Sequence, residues 1–190
     1  ILLVVNEEIK NIYYKEIGNK VMSINNFINT LSTKNHDKSS KNLIAVGRFS
    51  KEKGFSDLID IMSILVKKDN DITLTLIGDG EEFNDIKEKI KALNLEKNVV
   101  LTGYLNQEEI EKYMLKSSIY LMTSYTESFG LVMIEAMNYG LPIVAFDSAC
   151  GARVLLKETN TLVENRNKAE YAKIVLEILN NKDKMTELSK

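Results

Sequence analysis

The chain has 190 residues, 44% hydrophobic and 27% charged, which suits one soluble domain or a domain with a tail. Its formal charge of −2 gives no electrostatic case for nucleic acid, because lysine alternates with glutamate and aspartate as on solvated helix faces. One cysteine, Cys150, and one histidine, His36, exclude an internal disulfide and a His/Cys metal cluster, and fit a reducing, cytoplasmic compartment.

The apolar run 1–5 is too short for a signal-peptide core, lacks a basic lead, and reads as the end of a buried strand. No initiator methionine is present, which raises the expectation that the chain begins inside a larger protein. No apolar run approaches the ~20 residues of a membrane span. Residues 9–17 fit a helix and 20–24 a strand. Residues 25–40 are polar, without Gly or Pro, and read as a linker with His36 solvated. Residues 1–41 are therefore expected to be the edge of a neighbouring domain plus a linker, and 42–190 a domain of their own.

From residue 42 onward, apolar runs alternate with amphipathic segments. Strands are expected at 43–46, 72–77, 99–101, 119–122 and 143–146. Helices are expected at 54–67, 81–93, 107–116, 131–138 and 168–179. Phe55, Leu58, Ile59, Met62 and Leu65 or Val66 share one helical face. The helix at 131–138 stops at Gly140, with Pro142 shortly beyond. This alternation predicts βαβ units: a Rossmann-like, three-layer α/β domain with a mostly parallel sheet. Ligands bind at the carboxyl ends of such strands. That rule selects the loops 47–54, 78–81, 102–107, 123–130 and 147–152.

The segment 126–142 is the most informative. It places Glu127 in a loop and Glu135 in a short helix otherwise made of Leu131, Val132, Met133, Ile134, Ala136 and Met137. A carboxylate in such company needs a polar partner. The start of that helix offers unpaired N–H groups and a positive dipole end. Within one helix the eight-residue spacing would mean a rise of about 12 Å, so the two acids cannot act as a glycosidase pair. They fit instead as holders of different parts of one long ligand, a sugar attached to a phosphate. Ser128, Glu135 and Asn138 facing solvent as a polar stripe is the bland alternative. In the loop 47–54, Arg48 and Lys53 would meet the charge of a diphosphate, and a solvated basic loop capping a helix is the bland alternative. Gly78-Asp79-Gly80 lacks the third glycine of a dinucleotide fingerprint and reads as a tight turn. Cys150 reads as a small turn residue rather than a nucleophile, with no histidine nearby in sequence.

Four motifs in order carry a resemblance: Asn42-Leu-Ile-Ala-Val-Gly-Arg-Phe-Ser-Lys-Glu-Lys-Gly54, Leu76-Ile-Gly-Asp-Gly80, Val100-Leu-Thr-Gly-Tyr104, and Glu127-x7-Glu135 followed by Gly140-Leu-Pro-Ile-Val-Ala145. Over about residues 42–180 the chain resembles the carboxyl-terminal, donor-binding domain of the GT-B glycosyltransferases, in the retaining group called family 4. The resemblance implies that the chain is one half of a GT-B fold, with residues 1–41 a remnant of the amino-terminal domain. It implies that Gly47, Arg48 and Lys53 hold the donor diphosphate and that Glu127 contacts the transferred sugar. Ser128, Phe129, Gly130 and Leu131 would lie near sugar and phosphate, Glu135 on the ribose, and Gly103 and Tyr104 by the base. Arg48, Lys53 and Glu127 would carry catalysis, with no metal and no cofactor.

The implied reaction is transfer of a hexosyl group from a nucleotide-diphospho-sugar to a saccharide or lipid-linked acceptor, with retention. Phe146-Asp-Ser-Ala149 looks closest to members that use UDP-sugars in polysaccharide biosynthesis. Contact with the inner face of the membrane stays open for the full-length enzyme. The stretch 151–163 departs from the family pattern, and Arg153 receives no role. The rival readings are a non-catalytic nucleotide-binding module and a nucleotide-sugar epimerase of similar fold.

Overall fold

The alternating pattern resolves, in a computed structural model that describes residues 1–5, 7–24, 32 and 34–190, into a parallel sheet with helices on both faces. The elements are β1 (Leu2–Val4), α1 (Glu7–Ile17), β2 (Val21–Ser23), β3 (Asn42–Val46), α2 (Phe55–Lys68), β4 (Thr73–Ile77), α3 (Phe83–Ala92) and β5 (Val99–Leu101). They continue with α4 (Gln107–Lys116), β6 (Ile119–Met122), α5 (Leu131–Asn138), β7 (Ile143–Phe146), α6 (Cys150–Leu155), β8 (Leu162–Val163), α7 (Lys168–Asn180) and α8 (Lys182–Leu188). β1 and β2 pair in parallel as a separate two-stranded sheet. The main sheet has the order β5-β4-β3-β6-β7-β8, parallel throughout. This is the doubly wound, Rossmann-like arrangement.

The strands read as continuous apolar runs because both faces are covered: every residue of β6 and β7 is buried. On one face Leu58, Ile59 and Met62 of α2 pack with Leu74, Leu76, Tyr171 and Val175. On the other, Ile44 and Ile77 pack with Met114, Met133, Ala136 and Ala152. Each fully buried leucine, isoleucine or methionine among them contributes roughly 1.5–3 kcal/mol.

The winding direction reverses between β3 and β6. Those two strands pair only at Leu43↔Ile119 and Ile44↔Tyr120, then part. Two tyrosine hydroxyls bond backbone groups near here, Tyr120 at the split itself and Tyr171 between β6 and β7. Tyr171 accepts from the Met122 N–H at 3.0 Å and donates to the Val144 carbonyl at 2.5 Å. Tyr120 donates to the Val46 carbonyl at 3.2 Å. Burial pushes both phenols well above their ordinary pKa, so both stay neutral hydrogen-bonding groups.

Three elements were not expected: α6, where a loop was anticipated, and β8 and α8. Each is short, and six residues with a glycine in second place, or two residues of strand, carry no readable period. The 1–5 run is a strand, but Leu3 is 60% exposed and only Val4 is buried, since a two-stranded sheet leaves a face open. His36 is the clearest correction. It is 5% exposed, its Nδ1 donates to the Ser117 carbonyl at 3.2 Å, and its Nε2 lies 3.0 Å from Ser189 Oγ. Backbone bonds from His36 to Tyr139 and from Asp37 to Leu115 press this segment against the amino-terminal edge of the sheet. A polar local sequence cannot reveal burial supplied by distant elements. The rest of the expected linker, residues 25–31 and 33, lies outside the described residues. Among the described residues, no helix is long and apolar enough to cross a membrane.

Candidate functional site

The loop after β3 is fixed from below. Phe49 is fully buried, with its ring 4.9 Å from Phe55 and 5.2 Å from Phe83. A single 3-10 turn, Lys51–Lys53, ends at Gly54 with φ +64°. A Cβ at Gly54 would lie 2.3 Å from the Thr123 carbonyl, so only glycine lets this loop meet the loop after β6. The two loops are then stitched together: Thr123 Oγ1 donates to the Lys53 carbonyl at 3.0 Å, and the Tyr125 N–H to the Glu52 carbonyl at 2.7 Å.

This stitching brings Lys53 and Glu127 into an ion pair, Nζ to Oε2 2.6 Å, although they are 74 residues apart. Their side chains are 29% and 21% exposed. α5 begins directly beyond. Its N-cap is Gly130 at φ +81°, and no side chain caps it. The start of α5 lines the same space as the pair, and the N–H groups of a helix's first turn have no intrahelical partner.

Lys53, Glu127, Ser128, Phe129, Gly130 and Leu131 line a hollow of about 310 Å³, together with Val46, Tyr120, Met122 and Val5. It sits where β3 and β6 part. A second hollow of about 390 Å³ adjoins it across Val46 and is lined by Gly47, Arg48, Gly78, Asp79, Tyr104 and Leu105. Gly103 supports this second wall by accepting from the Gly78 N–H at 2.9 Å. Arg48 is exposed, and Tyr104 is 83% exposed.

Arg48 and Lys53 thus occupy neighbouring hollows rather than one wall. Glu135 lines neither. It is half-buried on α5, and among the described residues it has no ion-pair partner. Its charge, with that of Glu127, adds to the upward push that burial exerts on the Tyr120 phenol.

Sequence reasoning missed the residue that ties these loops together, Arg166. Nothing in the run Glu164-Asn-Arg-Asn167 distinguishes it from a solvated turn. Its guanidinium lies 3.5 Å from the Tyr125 ring centroid and 4.3 Å from that of Phe146. Nη2 donates to Asp57 Oδ2 at 2.6 Å and to the Thr123 carbonyl at 2.8 Å, and Nη1 to Ser148 Oγ at 2.9 Å. Asp57 also takes Lys168 at 2.6 Å and the Tyr125 hydroxyl at 2.8 Å. Partial burial opposes charge on Asp57, but hydrogen bonds from Lys168, Arg166 and Tyr125 outweigh it and bring the carboxyl to about 2. Arg153 pairs with Glu8 of α1 and donates to the Asp147 carbonyl at 2.5 Å, joining the 1–24 unit to α6.

The sequence profile of the family described as glycosyl transferases group 1 matches residues 28–190. An uncharacterized glycosyltransferase of Haemophilus influenzae is 37% identical over 175 residues, covering 90% of this chain and 49% of that protein. The poly(ribitol-phosphate) alpha-N-acetylglucosaminyltransferase of Staphylococcus aureus is 33% identical over 165 residues, covering 85% of this chain and 33% of that protein. A mutant of S. aureus TarM, crystallised with fondaparinux, alpha-GlcNAc-glycerol and UDP, superposes with a TM-score of 0.90 at 29% identity, covering 98% of this chain and 38% of that one. The chain therefore spans half or less of the length of these proteins. A motif set, a doubly wound sheet and a family profile converge, and the chain belongs to the group 1 glycosyl transferases, with a GT-B-type α/β fold.

Proposed function

We propose that this chain is the donor-binding, carboxyl-terminal half of a glycosyltransferase that transfers a hexosyl group from a nucleotide-diphospho-sugar to a saccharide or lipid-linked acceptor, with retention. The observation that carries the reading is the Lys53–Glu127 pair at 2.6 Å, set before the uncapped start of α5 where the sheet splits. A cation, a helix start and a carboxylate in one hollow match a sugar diphosphate: Lys53 and the first-turn N–H groups meet phosphate, and Glu127 accepts from sugar hydroxyls. Arg48, one hollow away, adds charge for the departing diphosphate in place of a metal. Tyr104 and the Gly78–Gly103 wall take the base, and Glu135 the ribose. UDP-sugars are favoured, and the complex of the 29%-identical TarM with UDP supports that choice. Residues 1–41 belong in this reading to the end of a preceding acceptor-binding domain, the cleft between the two domains excluding water during transfer.

Titration calorimetry with UDP, GDP and ADP tests the proposal on the wild-type chain, Lys53→Met and Glu135→Ala. UDP is expected to bind best. Loss of a charge-assisted contact of about 1.5–3 kcal/mol makes Lys53→Met at least about tenfold weaker, and Glu135→Ala is weakened less. If no nucleotide binds at millimolar concentration, or if neither substitution changes the affinity, the donor site is elsewhere.

A further inference from the structure

Arg166 is costly to place. Its φ is +50°, next to Asn165 at +54°, a left-handed backbone that is strained for a residue with a Cβ. Its Nε is buried with no hydrogen-bond partner. A partly buried guanidinium with one donor unmet, on a strained turn, persists only where its other contacts hold it. Those contacts run to three separate segments at the carboxyl edge of the sheet. The loop after β6 supplies the carbonyls of Thr123, at 2.8 Å, and Ser124, at 3.3 Å. The loop after β7 supplies Ser148 Oγ at 2.9 Å. The first turn of α2 supplies Asp57 at 2.6 Å. The Tyr125 and Phe146 rings enclose the guanidinium.

The planar fork is what makes this possible. One guanidinium faces two carbonyls, a hydroxyl and a carboxylate at once, which an ammonium on a flexible stem cannot do. The bonded carbonyls belong to residues three and four before Glu127. The Thr123 carbonyl that Arg166 holds is also the atom against which Gly54 is packed, one residue after Lys53. Arg166 therefore grips the seam between the segment that carries Lys53 and the segment that carries Glu127. It touches neither side chain.

From this geometry we infer that Arg166 is a positioning residue for the Lys53–Glu127 pair: it sets the separation of the two loops so that cation and carboxylate face one hollow. Only the purpose of the pair rests on the donor-site reading above. How the pair is held does not.

The test separates these two parts. Urea unfolding of the ligand-free chain measures the coupling between Lys53 and Glu127 through a double-mutant cycle of Lys53→Met and Glu127→Gln. The cycle is run in the wild-type background and again with Arg166→Met and Arg166→Lys. A merely structural arginine would lower the midpoint and leave the coupling intact. A positioning arginine makes the coupling fall to within error in Arg166→Met. Arg166→Lys, which keeps the charge but not the fork, is expected to recover part of the stability and none of the coupling. In parallel, UDP affinity by calorimetry, at a temperature where every variant is fully folded, is expected to drop about tenfold in Arg166→Met, with little further loss on adding Lys53→Met. Coupling that survives in Arg166→Met overturns the proposal, and so does UDP affinity unchanged by Arg166→Met in a wild-type chain that binds UDP. If the wild-type chain binds no UDP, the donor-site reading fails while the ligand-free cycle still decides the role of Arg166.

Discussion

In the free chain the cation expected to meet phosphate is already occupied. Lys53 and Glu127 neutralise one another at 2.6 Å, at 29% and 21% side-chain exposure. A diphosphate that recruits Lys53 must first separate that pair, and it must approach a carboxylate. Glu127→Gln removes both obstacles while keeping shape and hydrogen-bonding reach. A pair at this depth is worth about 1 kcal/mol, toward the upper end for partly exposed ion pairs. Releasing it alone strengthens diphosphate binding about fivefold, and loss of like-charge repulsion acts in the same direction. Inorganic pyrophosphate and UDP should therefore bind Glu127→Gln more tightly than wild type, and the gain should shrink as salt is raised, because exposed charges are screened over ~10 Å at 0.1 M. A UDP-sugar should show the opposite balance, losing the increment that its sugar adds over UDP in the wild-type chain. Calorimetry in low and high salt reads all three ligands. Pyrophosphate affinity that is unchanged or weaker in Glu127→Gln would show that the pair does not guard the anion site.

Three further outcomes concern the frame around the site. Tyr171→Phe leaves the Met122 N–H and the Val144 carbonyl without their buried partner, and at about 1–3 kcal/mol per orphaned group the urea midpoint should fall by the equivalent of roughly 2–4 kcal/mol. A change below about 0.5 kcal/mol would mean that water replaces the hydroxyl between β6 and β7. Gly54→Ala drives a Cβ to 2.3 Å from the Thr123 carbonyl at φ +64°, so a loss of about 3 kcal/mol or more is expected in the melting curve, together with weaker UDP binding. His36 is held below its usual 6.5 mainly by burial, against the opposing bond to Ser117. Its contribution is thus fully present above pH 6.5 and is lost as pH falls below it, at up to about 1.4 kcal/mol per pH unit. Unfolding midpoints measured from pH 7.5 to 5.5 should slope accordingly, and His36→Gln should flatten the slope.

Much of the framework was legible in the residues because its signals are local. A strand buried on both faces must be a run such as Ile143-Val-Ala-Phe146, and a helix on one face of the sheet must repeat its apolar residues as α2 does from Phe55 to Leu65. Helices α4 and α5 begin and end at the expected residues; Asn106 with Glu109 caps the start of α4, and Gly130 and Gly140 flank α5. The loop position of Glu127 followed from the same punctuation. Contacts between residues far apart in the chain left no such mark. The pairing of Lys53 with Glu127, the placing of Arg48 one hollow away, the burial of His36 and the grip of Arg166 on Thr123 and Ser124 all arise where separate loops meet at the ends of strands. A periodicity reports which face of its own element a side chain takes. It carries no information on which distant backbone carbonyl that side chain will find, and here that was decided by the order of strands in the sheet and the split between β3 and β6.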